Sequence, residues 1–244
     1  MNRHQLIPFI LRKVSLELAK HSETKSVYRE NTGFLTDADI IAHNIIEHEI
    51  LKYFPNDYIL SEESDENNLL EINKSEYSWI ADPICGTTNY LYEIPFYSHA
   101  VSLVKDNDVV ASGVYDPKRD ELFFSDGKDF FLNDSKILLN NVKDISESLI
   151  SFNTNQSNFE KKEFQLNSIL EKISPPICRR VHILESANLE LAYVAAGRID
   201  VYLNPCDKPW DIAAARLFIT TANASYKIIN DSEKNIIFQE GIIA

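Results

Sequence analysis

Asp39, Glu62, Asp82 and Asp211 come from four separate segments of the chain, and together they could hold a divalent cation through hard carboxylate oxygens. Taken singly, each has a simpler role: a helix cap accounts for Asp39 and Asp211, and a solvated turn for Glu62. The string Trp79-Ile80-Ala81-Asp82-Pro83-Ile84-Cys85-Gly86-Thr87-Thr88-Asn89-Tyr90 is harder to read as structure alone. A buried strand runs into a carboxylate, and a tight turn through Pro83 and Gly86 then starts a helix, so an acidic group, an exposed carbonyl and helix N–H groups aim at one point. Such a point can hold a hard cation beside a phosphate. Cys85 looks out of place there, because a neutral thiol binds Mg²⁺ poorly and, once ionised, prefers Zn²⁺. A zinc site built on histidine has little support, since His43 and His48 are five apart on a helix rather than four.

The elements that must position these residues follow from the apolar pattern. Residues 4–21 and 37–53 have helical spacing, the second through Ile40, Ile41, Ile45, Ile46, Ile50 and Leu51, with Asp37 and Asp39 at its start. Pro55 with Asn56-Asp57 closes that helix, and a short strand at Tyr58–Leu60 delivers Glu62. The polar stretch 65–77 reads as a surface loop or a loosely held helix. From 78 to 140, short β runs at 79–81, 100–104, 109–115, 121–124, 130–132 and 136–139 are separated by tight turns, which predicts an antiparallel meander. Strands near 149–152, 180–183, 199–203, 225–229 and 235–238 then alternate with helices at 159–173, 187–196 and 211–221, which predicts a second sheet covered by helices. The division expected is an N-terminal α+β subdomain over 1–145, with the antiparallel sheet and the metal-site loops, and a C-terminal α/β subdomain over 146–244 contributing Asp211.

Net charge is −13, from 37 acidic and 24 basic residues, and no basic cluster exceeds the Arg179-Arg180 pair. Nucleic-acid binding needs a positive stripe, so it is not expected. An acidic protein can still bind an anion when a metal supplies the positive charge. Three cysteines without CxxC spacing argue against a disulfide framework and for a reducing compartment, the cytoplasm. No apolar run has the length of a membrane span, so no membrane role is expected.

Residues 79–90 resemble the signature of the inositol monophosphatase family, W-x-x-D-P-[IL]-D-G-T-x-N-[FY]. Leu35-Thr36-Asp37-Ala38-Asp39 is similar to the family's V-T-x-x-D, and Ile59-Leu60-Ser61-Glu62-Glu63-Ser64 to its [IL]-x-G-E-E-[ST]. Gly113–Pro117 with Glu121-Leu122-Phe123 and Phe131–Asp134 resemble its central hairpins. Leu191–Arg198 and Trp210-Asp211-Ile212-Ala213-Ala214 complete the order. The resemblance covers about residues 30–230, and five motifs in order are far more specific than one.

It implies an α-β-α-β-α layered sandwich and a Mg²⁺-dependent phosphomonoesterase. Glu62, Asp82 and the Ile84 carbonyl would hold a first cation, and Asp82 with Asp211 a second. The N–H groups of Gly86 and Thr87 would bind phosphate, and metal-activated water, positioned by Thr87 and Asp39 with Glu62 nearby, would attack phosphorus. Ser186, Ala187 and Asn204 fall where substrate contacts are made, and a homodimer is implied. Cys85 stands where the family has its second aspartate. Three outcomes stay open: a weakened second site, a preference for Mn²⁺ or Zn²⁺, or a weakly active or non-catalytic protein that binds phosphate and metal. Ser61, Glu185 and the Asn223-Ala224 pair replace family glycines, and Asn204 replaces a substrate-contacting Glu. A small polyol or sugar phosphate of the inositol monophosphate kind is the expected substrate. Fructose bisphosphate or a bisphosphonucleotide is the alternative, the nucleotide being less expected because Thr88 is not basic.

Overall fold

Helix α1 (Arg3–Leu18) begins with a reciprocal Asn2–Gln5 capping box, and α2 (Asp37–Tyr53) with one between Thr36 and Asp39. The computed structural model describes residues 1–21, 25–29, 33–64, 75–139, 144–153, 166–204, 208–228 and 242–243. Between the two helices runs an antiparallel hairpin that the sequence pattern does not announce, β1 (Ser26–Arg29) with β2 (Gly33–Thr36).

Seven strands follow in one sheet, ordered as they occur: β3 (Tyr58–Ser61), β4 (Tyr77–Cys85), β5 (Ser98–Lys105), β6 (Asp108–Asp116), β7 (Glu121–Ser125), β8 (Phe130–Leu132) and β9 (Ser135–Ile137). β3 and β4 are parallel and the rest antiparallel, as the short turns predict. Trp79, Ala81, Val101, Leu103, Ala111 and Tyr115 bury one face of this sheet against Leu6, Ile7, Ile10, Leu11, Ile46 and Ile50 of α1 and α2. The approach is close at Gly113, where a Cβ would stand 2.7 Å from Ile7 Cγ2. Among the described residues, no helix is long and apolar enough to cross a membrane.

The opposite face receives α5 (Ala187–Ala195) and α6 (Pro209–Thr221). Trp210 and Ala213 pack on Leu60, Ile80 and Val104, while Leu191, Ile212 and Phe218 join Val114, Phe123 and Phe130. Tyr202 and Ile199 reach the same helices from the far side, where a second sheet runs β11-β10-β12-β14-β13. Its strands are β10 (Leu149–Phe152), β11 (Arg180–His182), β12 (Val201–Asn204), β13 (Lys227–Ile228) and β14 (Ile242–Ile243). β10 is parallel to both β11 and β12, and β14 antiparallel to both of its neighbours. The crossover through α4 (Leu166–Ile173) steps from β10 to β11, and the one through α5 steps back past β10 to β12. Right-handed crossovers in opposite directions would put their helices on opposite faces, which assigns α4 to the outer layer by the handedness rule. The architecture is the α-β-α-β-α layered sandwich.

Three differences from the sequence reading bear on the site. β4 does not stop at Ala81 but continues through Pro83 to Cys85. α6 begins at Pro209, whose fixed φ and missing N–H suit the first position of a helix. The strand expected at 235–238 and the first part of the helix expected at 159–173 lie outside the described residues, whereas the pairing of Ile242–Ile243 was not expected. Residues 65–74 of the expected polar stretch also lie outside them.

Candidate metal and phosphate centre

Period-two alternation sends residues an odd number apart on a strand to opposite faces, so Asp82 and Cys85 should diverge. They do not, because β4 carries an extra residue between them: Asp82 pairs with Ala100 and Cys85 with Ser98, three steps on β4 against two on β5. Ile84 therefore turns to the α1/α2 side, and Cys85 joins Asp82 on the α5/α6 side. Pro83 has no N–H to offer the ladder, which suits it to such a bulge. Its carbonyl accepts from Nδ1 of buried His99 at 2.6 Å, and burial lowers the His99 pKa to about 4, keeping that ring neutral.

The other acids arrive by register and by helix start. Ser61 pairs with Ala81 and Glu62 N–H donates to the Ala81 carbonyl at 3.2 Å, which sets Glu62 beside Asp82. Asp211 stands in the first turn of α6, one oxygen accepting from Lys208 N–H at 2.8 Å. Ligating atoms of Asp82, Cys85 and Asp211 all lie within 4.8 Å of one another. Asp39 completes the capping box of its helix, Oδ2 accepting from Thr36 N–H and Oγ1 at 2.7 and 2.6 Å, while Oδ1 accepts from Thr87 Oγ1 at 3.2 Å. Thr87 Oγ1 is also 3.0 Å from the Ile84 carbonyl.

Charge repulsion marks the cluster. Burial first, and then Asp82 and Asp211, push the Glu62 carboxyl well above the usual carboxylate range; burial and Asp211 do the same to Asp82. Asp211 rises to about 6 by burial, opposed by the Lys208 N–H, and burial raises Asp39 against its hydrogen bonds from Thr36 and Thr87. The Cys85 thiol is likewise pushed up, by burial and then by Asp82 and Asp211. A divalent cation reverses the sign of these interactions. The donor set fits one: Asp82 Oδ1 and Asn188 Oδ1 are buried without a hydrogen-bond partner among the described residues. Asp82 and Asp211 offer oxygen, which suits a hard cation, and Cys85 adds sulfur beside them; Glu62, next to Asp82, is not one of the three residues whose ligating atoms lie within 4.8 Å of one another.

Beside the acids the chain turns through Gly86, at φ 93, into the short helix α3 (Thr87–Leu91). The first N–H groups of a helix have no acceptor within it, and Gly86 and Thr87 are half-buried, open enough for an anion to reach them. A Cβ at Gly86 would stand 3.1 Å from the Glu185 carbonyl and 3.2 Å from Ser186 Cβ. Glu185, at φ 61, takes the left-handed conformation that a glycine adopts without strain.

Of the expected substrate contacts, Ser186 is fully buried and its Oγ donates to the Cys85 carbonyl at 2.9 Å. Ala187 is in the core beside Cys85, and Asn204 is buried in β12, its amide donating to the Tyr202 hydroxyl. Sequence reasoning missed Asn188 altogether. Its Nδ2 donates to Asp82 Oδ2 at 2.9 Å and to the Trp210 carbonyl at 3.0 Å, and its backbone N–H donates to Cys85 Sγ at 3.3 Å. A fully buried amide in the apolar helix Ala187–Ala195 was the available signal.

Residues 5–244 match the sequence profile of the inositol monophosphatase family. A fructose-1,6-bisphosphatase/inositol-1-monophosphatase from Thermotoga maritima is 32% identical over 243 residues, covering 96% of this chain and 90% of that protein. The Nus factor SuhB of Escherichia coli strain K12 is 30% identical over 218 residues, 86% of this chain and 79% of that one. The solved structure of a Thermotoga maritima IMPase superposes with a TM-score of 0.82 at 28% identity, covering 96% of this chain and 88% of that one. With the acidic groups converging beside the Gly86 turn, this chain belongs to the inositol monophosphatase family of metal-dependent phosphomonoesterases.

Proposed function

We propose that the protein hydrolyses the phosphate ester of a small polyol or sugar, with Mg²⁺ at the all-oxygen position formed by Glu62, Asp82 and the Ile84 carbonyl. The observation that carries this reading is the buried, unpartnered Asp82 Oδ1, set between Glu62 and Asp211 and next to the Gly86–Thr87 turn. A cation held there supplies charge that lowers the pKa of water and neutralises phosphoryl oxygens.

The chain's own groups do the rest. Gly86 and Thr87 N–H groups donate to two phosphate oxygens and orient phosphorus. Thr87 Oγ1 donates a hydrogen bond toward Asp39 Oδ1 and the Ile84 carbonyl, which leaves its lone pairs to accept from the attacking water and fix it in line. As the water oxygen bonds to phosphorus and the ester P–O bond breaks, the water's proton passes by way of the Thr87 hydroxyl to Asp39, and the departing alkoxide takes a proton from solvent to leave as the alcohol. Ser186 and Ala187, being buried against Cys85, serve as support beneath the turn, and Asn204, buried in β12, supports that strand, rather than contacting the substrate. Free, buried Cys85 and Cys178 favour a reducing compartment, and we assign the protein to the cytoplasm as a homodimer, the state that the family resemblance implies. The acidic balance favours a small phosphorylated partner over nucleic acid.

Phosphate release from a panel of inositol, sugar and nucleotide phosphates, each with Mg²⁺, Mn²⁺ or Zn²⁺, tests this. Cation-dependent release from the polyol and sugar esters is expected. Absence of hydrolysis across the panel with every cation would establish the non-catalytic alternative.

A further inference from the structure

Asp82, Cys85 and Asp211 form a group whose chemistry differs from that of the oxygen-only position beside it. We infer that these three residues are a mixed sulfur and oxygen cation seat, built for a borderline divalent ion of the zinc class rather than for Mg²⁺. The inference rests on the metal-dependent phosphatase reading and specifies the second cation of that site.

Three features carry it. First, the bulge in β4 is what brings Cys85 to the face of Asp82 and Asp211, with ligating atoms within 4.8 Å of one another. In a tetrahedral shell with ligands at about 2.0 to 2.3 Å, neighbouring ligand atoms stand roughly 3.3 to 3.7 Å apart, so side-chain rotations that draw these three atoms in by about an ångström would close the group on an ion. Second, Asn188 supports the thiolate form: its N–H points at Sγ, and N–H···S bonds stabilise and orient a metal-bound sulfur. Third, the Asn188 amide occupies Asp82 Oδ2 and leaves Oδ1, buried and without a partner among the described residues, for a cation. Asp82, at 1% exposure, is otherwise held by the Asn188 amide and the Cys85 thiol, and its Oδ1 is the oxygen left for an ion.

Binding forms one metal–sulfur bond and breaks one S–H bond, the proton leaving to solvent. Two carboxylates and a thiolate then face two positive charges. Mg²⁺ gains little from sulfur and keeps its own waters, whereas Zn²⁺ and Co²⁺ take thiolate readily. The two seats share Asp82, so the protein would work with unlike ions side by side.

Cobalt reads this directly, because a cobalt–thiolate bond gives a near-ultraviolet charge-transfer band that carboxylates do not. Titrating the metal-stripped protein with Co²⁺ should produce the band at one equivalent, and Zn²⁺ but not excess Mg²⁺ should displace it. Cys85→Asp and Cys85→Ser should both lose the band, while Cys178→Ser and Cys206→Ser keep it. Cys85→Asp should also reduce the ratio of Zn²⁺ to Mg²⁺ affinity, measured by calorimetry, by about 10- to 100-fold, and Asn188→Ala should weaken Co²⁺ binding without removing the band. Cobalt binding that shows no thiolate band in the wild type overturns the inference and leaves the phosphatase reading intact. Failure to bind any divalent cation overturns both.

Discussion

The hydroxyl of Thr87 donates to Asp39 Oδ1 at 3.2 Å, tying the first turn of α3 to the first turn of α2. Neither residue needs the other for its local structure, because Asp39 is already held by Thr36 and α3 is capped at Gly86. Under the proposed mechanism this contact is the place where the attacking water would be held. Thr87→Ala and Asp39→Asn should each lower kcat by about 10²- to 10⁴-fold with little change in KM. Thr87→Ser should recover most of the loss, and steady-state kinetics with near-normal kcat in both variants would remove the pair from the chemistry.

If Asp82 is a ligand of both proposed cation seats, Asp82→Asn should lower hydrolysis by about 10³-fold or more. The same change relieves a buried charge repelled by Glu62 and Asp211. Thermal unfolding of the metal-free variant should thus show equal or higher stability, by on the order of 1 kcal/mol. Substantial residual turnover would contradict the assignment of this carboxylate.

At Gly86, φ 93 combines with the closeness of the Glu185 carbonyl. Gly86→Ala should cost about 1 to 3 kcal/mol and lower Tm by several degrees. It should also weaken inorganic phosphate binding, since Ser186 and the α3 N–H groups shift together. An unchanged melt would mean that the turn relaxes freely.

Glu190 is fully buried, accepts from Ser186 N–H at 2.9 Å and from Ser151 Oγ, and has its pKa raised by burial to about 7. A carboxyl raised above its unfolded value favours the folded state below that unfolded value, near 4.5, and the benefit disappears as pH rises through about 7. The full span is on the order of 3 kcal/mol. Between pH 5 and 7.5 the wild type should lose more stability than Glu190→Gln, which carries no titrating proton. Denaturant melts of equal pH slope in the two proteins would count against the shift.

Much of this centre was legible in the sequence because each acid lies at an element boundary that punctuation marks: Asp39 at a capping box, Glu62 after a short strand, Asp211 after Pro209-Trp210. Their convergence was not legible from pattern alone, because periodicity places residues on faces of their own element and says nothing of which faces meet. The bulge shows the limit best. Reading a turn from Pro83 and Gly86 was reasonable, yet the chain keeps its ladder to Cys85, and only the pairing with Ser98 and Ala100 reveals the change of face. Asn188 hid inside an otherwise apolar helix, and the hairpin of Ser26–Thr36 hid because its strands are short and its outer side chains, such as Val27 and Tyr28, are exposed. Glu185 and Asn223, at φ 61 and 66, hold left-handed backbone without a glycine, which nothing in their residue types announces.

Placing α5 and α6 between the two sheets sets an order of events during synthesis. When β4 has left the ribosome, Glu62, Asp82 and Cys85 already exist as a strand edge, but Asn188 and Asp211 are still to be made. Distant segments close late in folding because their loop entropy must be overcome first. On the proposed reading, a complete seat would form only once the last helix has docked, and a chain interrupted upstream of Pro209 would lack Asp211 and so carry only half of it.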